Sequence, residues 1–251
     1  MLDGRHALVT GGGRGIGRAV AAALRRSGAV VTVVGRNQDS LADAVTGGAA
    51  DAYQIADVTD EAALDAAVKR GINANGRIDI LVANAGHAES SPFLKSETSQ
   101  FRRMFELNVL GVVHATRAVL GQMTSGGFGR VVAIASTAGL RGYPYVSAYC
   151  AAKHAVVGLV RAIALETAGT GVTVNAVCPG YTDTDMVAES IARITEKTGR
   201  SSTDALAGML KANPLGRLIT PEEVAATVTF LCSAEASAIT GTTIAVAGGE
   251  M

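Results

Sequence analysis

A phenol and an ammonium group lie one helical turn apart in SAYCAAKHAVVG, residues 147–158. Tyr149 and Lys153 are four positions apart, so on a helix their side chains share a face. A nearby cation stabilises the phenolate form of a tyrosine. The spacing therefore predicts a proton-transferring pair in which Lys153 moves the pKa of Tyr149 toward neutrality. The alternative for this segment alone is an amphipathic helix whose Tyr and Lys reach into water.

Two further polar residues precede this pair in the chain. Ser136 closes a predicted strand in IASTAG, and Asn108 lies in ELNVLGV on a predicted helix. Taken singly, a serine at a strand end and an asparagine on a helix are usually structural. With Tyr149 and Lys153 they form a candidate catalytic set.

A glycine-rich turn, TGGGRGIGRAV, follows the first predicted strand and opens a helix. Glycines at 11, 15 and 17 allow a tight turn and a close approach of the backbone to a pyrophosphate at the helix N-terminus. Its spacing differs from the strict G-x-G-x-x-G pattern, but its place in the first strand-to-helix turn is typical of dinucleotide-binding folds. The turn predicts a dinucleotide site.

The second predicted strand ends in VVGRN, with Arg36 where NAD-binding proteins usually carry an acidic residue. Arg14, within the glycine turn, is a second cation on the same side. Two cations at this place favour the additional phosphate of NADP(H) over NAD. The alternative is that both arginines are ordinary solvated surface residues.

Short β-branched runs alternate with Ala-rich helical periods, a pattern typical of βαβ units. Strands are predicted at 6–10, 29–35, 52–56, 78–86, 130–136, 172–180 and 242–249. We expect an α/β fold with one domain, 1–251, built as a Rossmann-like doubly wound sheet of about seven parallel strands with helices on both faces. Residues 183–215 exceed what a crossover needs and predict helices with a Gly/Ser break at 199–202. The segment is a candidate lid over the substrate, or else a surface insertion.

Composition narrows the function classes. Lys plus Arg and Asp plus Glu both number 22, so no charge field favours nucleic acid or a membrane surface. No apolar leader and no uninterrupted membrane-length run is present, so we expect a cytoplasmic protein. Three scattered cysteines and four dispersed histidines predict neither disulfides nor a metal site.

Taken together, these motifs resemble the short-chain dehydrogenase/reductase family over nearly the whole chain. The glycine turn is followed in order by the N-A-G of ANAG at 83–86, by Asn108, Ser136 and the Y-x-x-x-K of Tyr149 and Lys153, and by the P-G at 179–180. One departure is Ala83, where many members carry a first asparagine.

The resemblance implies a role for each member of the catalytic set. Tyr149 would be the general acid in carbonyl reduction and the base in alcohol oxidation. Lys153 would also bind the nicotinamide ribose, Ser136 would position the substrate oxygen, and Asn108 would hold a water that links Lys153 to solvent. Further cofactor contacts are implied at Gly11, Arg14, Gly15, Ile16, Gly17, Arg36, Asp57, Val58, Asn84, Ala85, Gly86, Pro179, Gly180 and Thr182.

Within the family, the sequence looks most like 3-oxoacyl reductases and polyketide ketoreductases, which implies a β-ketothioester substrate. Arg130 matches an arginine that docks the acidic carrier protein, but the second docking arginine is absent, since Gly169 and Thr170 stand there. A coenzyme A thioester, or a small free ketone, alcohol, diol or sugar, remains an alternative substrate. A largely apolar substrate wall is implied at Leu140, Tyr143, Tyr145, Tyr181 and Met186, with ordinary core packing as the alternative for each.

Two alternatives come from other classes. A dehydratase or epimerase on this fold usually has a separate substrate domain, and a non-catalytic NADP-binding regulator would not need the Ser, Tyr and Lys set. The resemblance also implies a homo-oligomer, usually a tetramer, with helices around 99–123 and 147–168 at one interface.

Overall fold

One parallel sheet organises the computed structural model, which describes residues 2–211 and 213–250. Within these residues its strands are β1 (His6–Thr10), β2 (Val30–Gly35), β3 (Ala52–Ile55), β4 (Ile78–Ala83), β5 (Gly129–Ile134), β6 (Val172–Pro179) and β7 (Thr243–Val246). Their order across the sheet is β3-β2-β1-β4-β5-β6-β7, and every pairing is parallel. The predicted fold class is confirmed.

Helices connect successive strands. In the described part of the chain they are α1 (Gly15–Arg26), α2 (Gln38–Thr46), α3 (Glu61–Asn75), α4 (Thr98–Phe105), α5 (Gly111–Ser125), α6 (Ser147–Thr167), α7 (Asp185–Thr198), α8 (Ser202–Leu210) and α9 (Pro221–Cys232). A π-helical turn, Glu106–Leu110, joins α4 to α5, and two short 3₁₀ turns lie at Phe93–Lys95 and Thr137–Gly139.

Both faces of the sheet are covered, which explains why its central strands are almost wholly apolar. One core joins the sheet to α3, α5 and α6 through residues such as Leu64, Val119 and Val156. The other joins it to α1, α2 and α9 through residues such as Leu24 and Val228. A rigid platform therefore holds the loops that follow the strands.

The chain reverses its direction of travel across the sheet between β1 and β4. From β1 the sheet extends to β2 and β3 on one side and to β4 through β7 on the other. In open parallel sheets this switch opens a crevice beyond the carboxyl ends of the strands. The candidate residues after β1, β2, β4, β5 and β6 consequently face a common edge.

Helix α6 is long and apolar enough to meet a length-and-hydropathy criterion for a membrane span. Core helices of globular folds meet the same criterion, and α6 packs along β6 with Ala152, Val156 and Val160 buried. Lys153 lies on its buried side, 4% exposed. These contacts make α6 a core helix of the sheet.

The segment 183–215 contains α7 and α8, separated at Gly199, whose φ of 69° is left-handed. The predicted helices with a break at 199–202 are thus present. Thr182, just before the segment, forms a parallel bridge with Ile219, just after it. Ala212 lies outside the described residues.

A histidine is buried where β1 begins. His6 Nδ1 donates to the Gly76 carbonyl at 2.9 Å, so Nε2 of the neutral ring accepts from the Thr32 hydroxyl at 2.9 Å. Burial, opposed by the Gly76 bond and by Asp79, lowers the pKa of His6 in the folded state. The folded protein therefore binds a proton here less readily than the unfolded chain does.

We expect the free energy of unfolding to fall as the pH drops below about 6.5, the usual histidine value. The loss continues down to the folded pKa, with a slope from this group of at most about 1.4 kcal/mol per pH unit. Urea unfolding between pH 7.5 and 5.5 measures it. A His6→Gln variant with an equally steep slope would contradict the assignment to His6.

Candidate active site

The glycine turn leaves the N-terminus of α1 open. Arg14 occupies the N-cap position with φ of −152°, its side chain makes no capping hydrogen bond, and the first turn holds no acidic residue. Gly11 and Gly15 have left-handed φ values of 65° and 51°. The free amide groups and the helix dipole thus favour an anionic group at this end.

Asn84 braces the turn from the end of β4. Its Nδ2 donates to the carbonyls of Thr10, at 3.0 Å, and Gly11, at 3.2 Å. The Thr10 hydroxyl accepts from the amides of Asn84, at 3.0 Å, and Ala85, at 3.1 Å. Thr10, which the sequence motifs did not single out, therefore couples the glycine turn to the N-A-G segment.

Gly17 packs where no side chain fits. A Cβ atom there would collide with the Gly11 carbonyl and the Asn84 amide. We expect Gly17→Ala to lower the free energy of unfolding by about 1–3 kcal/mol, the usual cost of overpacking. The matched control is Gly208→Ala in α8, where no atom lies within 4 Å of the new methyl group. That control should be neutral or stabilising in urea unfolding, and equal losses in both variants would contradict the packing argument.

The two arginines expected to bind a phosphate each pair with a carboxylate. Arg36 Nη1 lies 3.5 Å from Asp57 Oδ2, and Arg14 Nη1 lies 3.7 Å from Asp185 Oδ2 at the start of α7. The Arg36 side chain is 73% exposed and the Arg14 side chain is 70% exposed. Such exposed ion pairs are weak. Either arginine could therefore leave its carboxylate and bind a phosphate.

An open cleft of about 580 Å³ lies beside Arg36 and Asp57. Thr59, His87 and Arg103 contribute to its lining. Asp57 Oδ1 accepts from the amide of Thr59 at 2.9 Å and from its hydroxyl at 2.8 Å, and these bonds together with Arg36 outweigh burial and lower the pKa of Asp57. The cap of α3 is Asp60, so the Asp57 carboxylate stays at the cleft.

Two other residues expected to contact the cofactor, Val58 and Ile16, pack against the core. The Val58 side chain is buried against Gly111, and its carbonyl accepts from His114 Nδ1 at 2.9 Å. Ile16 packs partly buried against the core beneath α1. The Val58 side chain is therefore enclosed by protein, whereas Ile16 keeps part of its surface exposed.

Pro179 ends β6, and Gly180 and Thr182 follow it at the same edge of the sheet. The Thr182 hydroxyl donates to the Gly180 carbonyl at 3.0 Å, and the Thr182 side chain is buried. This segment adjoins the carboxyl ends of β5 and β7. It therefore lies at the carboxyl edge of the sheet with the other candidate residues.

Ser136, Tyr149 and Lys153 come together in the crevice. The Ser136 hydroxyl lies close enough to the Tyr149 phenol to lower its pKa, and Ser136 Oγ accepts from the Ala138 amide at 3.1 Å. Lys153 Nζ donates to the Ile134 carbonyl at 2.8 Å and lies 5.6 Å from the centre of the Tyr149 ring. One ammonium donor is thus used by the backbone, and two remain.

The pKa expected for Tyr149 is wrong for this structure. Burial, which the nearby Ser136 hydroxyl only partly offsets, raises the pKa of Tyr149 to about 12. Burial also lowers the pKa of Lys153 to about 8. The helical spacing predicted the shared face correctly, but desolvation is the main cause of both pKa shifts, and the Lys153 ammonium bonds the Ile134 carbonyl instead of the phenol.

Asn108 lies in the π-helical turn between α4 and α5, not in a regular helix. Its Nδ2 donates to the carbonyls of His87 and Met104, both at 3.0 Å. Its Oδ1 is buried and accepts no bond from the described residues. Gly86 lies between this oxygen and Lys153, since a Cβ atom on Gly86 would be 2.7 Å from Asn108 Oδ1 and 3.5 Å from Lys153 Nζ. The unbonded Asn108 oxygen is therefore on the other side of Gly86 from the ammonium.

One expectation about the substrate needs correction. Arg130 is 3% exposed, and its guanidinium stacks on Phe128. The guanidinium also donates to the carbonyls of Gly129 and Gly171, at the amino-terminal ends of β5 and β6 and away from the crevice. Arg130 is a structural residue and presents no charge to a carrier protein. Tyr145, expected in the substrate wall, is 65% exposed with a left-handed φ of 68°.

Cys150, Cys178 and Cys232 are buried free thiols. Over 2–211 and 213–250, no three His, Cys, Asp or Glu side chains lie grouped as potential metal ligands.

Comparisons with known proteins agree with this geometry. The family model described as short chain dehydrogenase matches residues 5–194. Oxidoreductase UcpA of Escherichia coli O157:H7 is 40% identical over 99% of this chain and 95% of its own length. The 3-oxoacyl-[acyl-carrier-protein] reductase FabG of Haemophilus influenzae is 36% identical over 99% and 98% of the two chains.

Solved structures give the same result. A variant of actinorhodin polyketide ketoreductase, determined with NADPH, superposes with a TM-score of 0.93 at 35% identity, over 98% of this chain and 96% of that one. Levodione reductase superposes with a TM-score of 0.94 at 34% identity, over 99% and 98%. The chain therefore belongs to the short-chain dehydrogenase family, oxidoreductases of alcohols and ketones that use a nicotinamide cofactor.

Proposed function

We propose that this protein is an NADP(H)-dependent oxidoreductase that interconverts a ketone and a secondary alcohol, with a 3-oxoacyl thioester as the ketone. The observation that carries the proposal is the cluster of Ser136, Tyr149 and Lys153 beside the glycine turn. A phenol with a hydroxyl partner and a buried ammonium can pass a proton to or from a substrate oxygen. A structural role alone would not require a buried ammonium at this place.

The residues present fit a dinucleotide. The uncapped N-terminus of α1 suits a pyrophosphate, and the free Asn108 Oδ1 beside Gly86 marks a polar interior near Lys153. When bound, the cofactor supplies or accepts the hydride. We assign contacts with it to the residues named from the sequence, with the buried Val58 acting through its backbone groups.

Each catalytic residue then acts on a stated atom. Ser136 Oγ holds the substrate oxygen beside the Tyr149 hydroxyl, which donates its proton in reduction and takes one in oxidation. The two free donors of Lys153 Nζ hold ribose hydroxyls and keep a positive charge near the phenol. Asn108 Oδ1 orders a water that returns protons to Lys153.

The preference for NADP(H) rests on the charges at the cleft. Arg36 and Arg14 are exposed and held only by weak ion pairs, so a 2′-phosphate would gain charge-assisted hydrogen bonds from them. Arg36 and Asn37 directly follow β2, at the position where a carboxylate would repel that phosphate. Asp57 stays beside Arg36 and is assigned to the adenine side of the cleft.

The rest of the proposal concerns the whole molecule. We assign residues 1–251 to one catalytic domain in which 183–215 covers the substrate, linked to the glycine turn through Arg14 and Asp185. We also propose a cytoplasmic homo-oligomer, tetrameric by family resemblance. The exposed Leu165 on α6, 81% accessible, fits an interface at that helix.

Among substrates we favour a thioester that does not depend on carrier docking, such as a coenzyme A thioester. The buried Arg130 and the missing second arginine remove the cations that would attract an acidic carrier. FabG and actinorhodin ketoreductase, both similar to this chain, support a β-ketone. The similarity to levodione reductase favours a free cyclic ketone as the second candidate.

The test is the oxidation of NADPH by purified protein with acetoacetyl-CoA, an acetoacetyl carrier-protein thioester and a set of free ketones and diols. We expect the highest kcat/KM with acetoacetyl-CoA. A higher value with a free ketone would replace the thioester assignment. Binding of NADPH without turnover of any carbonyl compound would favour a regulator and overturn the proposed reaction.

A further inference from the structure

A buried carboxyl group lies beneath the candidate site, and none of the roles above uses it. Glu250 follows β7 and is 1% exposed. Gly248 and Gly249, with left-handed φ values of 63° and 88°, turn the chain back toward the crevice. The Glu250 amide then donates to the Ala247 carbonyl at 3.1 Å, which fixes the turn.

The carboxyl group holds a tyrosine of the expected substrate wall. The Tyr143 hydroxyl donates to Glu250 Oε1 at 2.7 Å, and its oxygen lies 2.8 Å from the Thr137 hydroxyl. Thr137 follows Ser136 directly in the chain. Glu250 is therefore joined through Tyr143 to the turn that presents the catalytic serine.

The second carboxyl oxygen lies on the other side of the same wall. Glu250 Oε2 is buried, has no hydrogen-bond donor among the described residues, and lies 3.2 Å from the place where a side chain on Gly180 would begin. The ring of Tyr181 packs edge-on against Tyr143, with ring centres 6.4 Å apart. Burial first and the Glu250 charge second raise the pKa of Tyr181.

Leaving a buried acceptor without a donor destabilises a fold, so packing alone does not account for this carboxyl group. We propose that Glu250 is a positioning residue of the substrate site, which fixes the Tyr143 ring as a wall beside Ser136. This inference rests on the proposed function, because it takes the crevice to be the carbonyl site. It assigns to Glu250 a part in binding the ketone, with none in proton transfer.

The kinetic test uses acetoacetyl-CoA, or the best free ketone if that is preferred, with saturating NADPH. Glu250→Ala should raise KM for the ketone about tenfold while kcat and the NADPH dissociation constant stay within about twofold. Glu250→Gln keeps an acceptor and should restore most of the loss. Tyr143→Phe should match Glu250→Ala, and the double variant should be no worse than either.

The matched control is Glu222→Gln, an exposed carboxylate in the first turn of α9. It should leave KM unchanged. Independent losses that multiply in the double variant, or a KM in Glu250→Ala equal to that of the unmodified protein, would overturn the proposal. An NADPH affinity that falls as much as ketone binding would also overturn it.

A second measurement needs no substrate and does not depend on the stability of the alanine variant. In protein labelled at tyrosine ¹³Cζ, Glu250→Gln should shift the Tyr143 resonance and leave that of Tyr53, in β3, in place. An unchanged Tyr143 resonance in an active enzyme would overturn this inference alone. Absence of turnover with every carbonyl compound would overturn the proposed function instead.

Discussion

Tyr149→Phe should lower kcat about 10²- to 10⁴-fold, the usual contribution of a positioned general acid. The substitution removes one oxygen atom, the phenol oxygen near the Ser136 hydroxyl, and leaves the ring that faces the Lys153 ammonium. NADPH affinity should stay within about twofold because the glycine turn, Arg36 and Lys153 are unchanged. Steady-state kinetics and NADPH fluorescence titration measure the two quantities separately.

Tyr53→Phe is the matched control for this change. Tyr53 lies in β3 near the far edge of the sheet, and its loss of one hydroxyl should alter neither kcat nor cofactor binding. Thermal unfolding of both variants checks that the fold is kept. Turnover by Tyr149→Phe at the rate of the unmodified enzyme would rule out Tyr149 as the proton donor.

Arg36→Asp should reverse the cofactor preference. The guanidinium next to Asp57 is replaced by a second carboxylate, which repels a 2′-phosphate and accepts hydrogen bonds from a ribose hydroxyl. A lost charge-assisted bond costs about 1.5–3 kcal/mol. With the added repulsion, the ratio of kcat/KM for NADPH to that for NADH should fall about a hundredfold or more.

Arg26→Asp makes the same charge change at the opposite end of α1 and serves as the control. Because its effect on a bound phosphate is screened over that distance, the cofactor ratio should move by less than about twofold. A ratio that is unchanged in Arg36→Asp would show that Arg36 is a solvated surface residue. Equal changes in both variants would point to the overall charge of the protein instead.

The sheet could be predicted from the sequence because buried parallel strands need continuous β-branched runs. The strand expected at 78–86 illustrates both the success and its limit. It ends at Ala83 in the structure because Asn84 and Ala85 leave the sheet to bond Thr10. A hydrophobic pattern carries no information on these hydrogen bonds to Thr10, so the predicted end of β4 lies three residues beyond the observed one.

The sequence predicted that the candidate site residues lie together. They follow successive strands along the chain, and the carboxyl ends of parallel strands lie at the same edge of a sheet. The protonation of Tyr149 could not be predicted in the same way. It depends on how far Tyr149 and Lys153 are desolvated and on the hydrogen bond that Lys153 Nζ donates to the Ile134 carbonyl. Both are properties of the packed site.

Glu250 and Arg130 show the same limit from two directions. Glu250 is 107 positions from its partner Tyr143, and only the two left-handed glycines before it bring them together. Arg130 matched a docking motif, but its place at the start of β5 buries it against Phe128. Side-chain direction and burial, which decide both cases, follow from the tertiary structure.

The most direct test of Tyr149 as the proton-transferring group is the pH dependence of single-turnover rates in both directions. Reduction needs the phenol and should slow as the pH rises toward the ionisation of the Tyr149 and Lys153 pair, whereas oxidation needs the phenolate and should accelerate over the same range. Opposite slopes that disappear in Tyr149→Phe are the predicted result. Slopes of the same sign, or opposite slopes that persist in Tyr149→Phe, would contradict it.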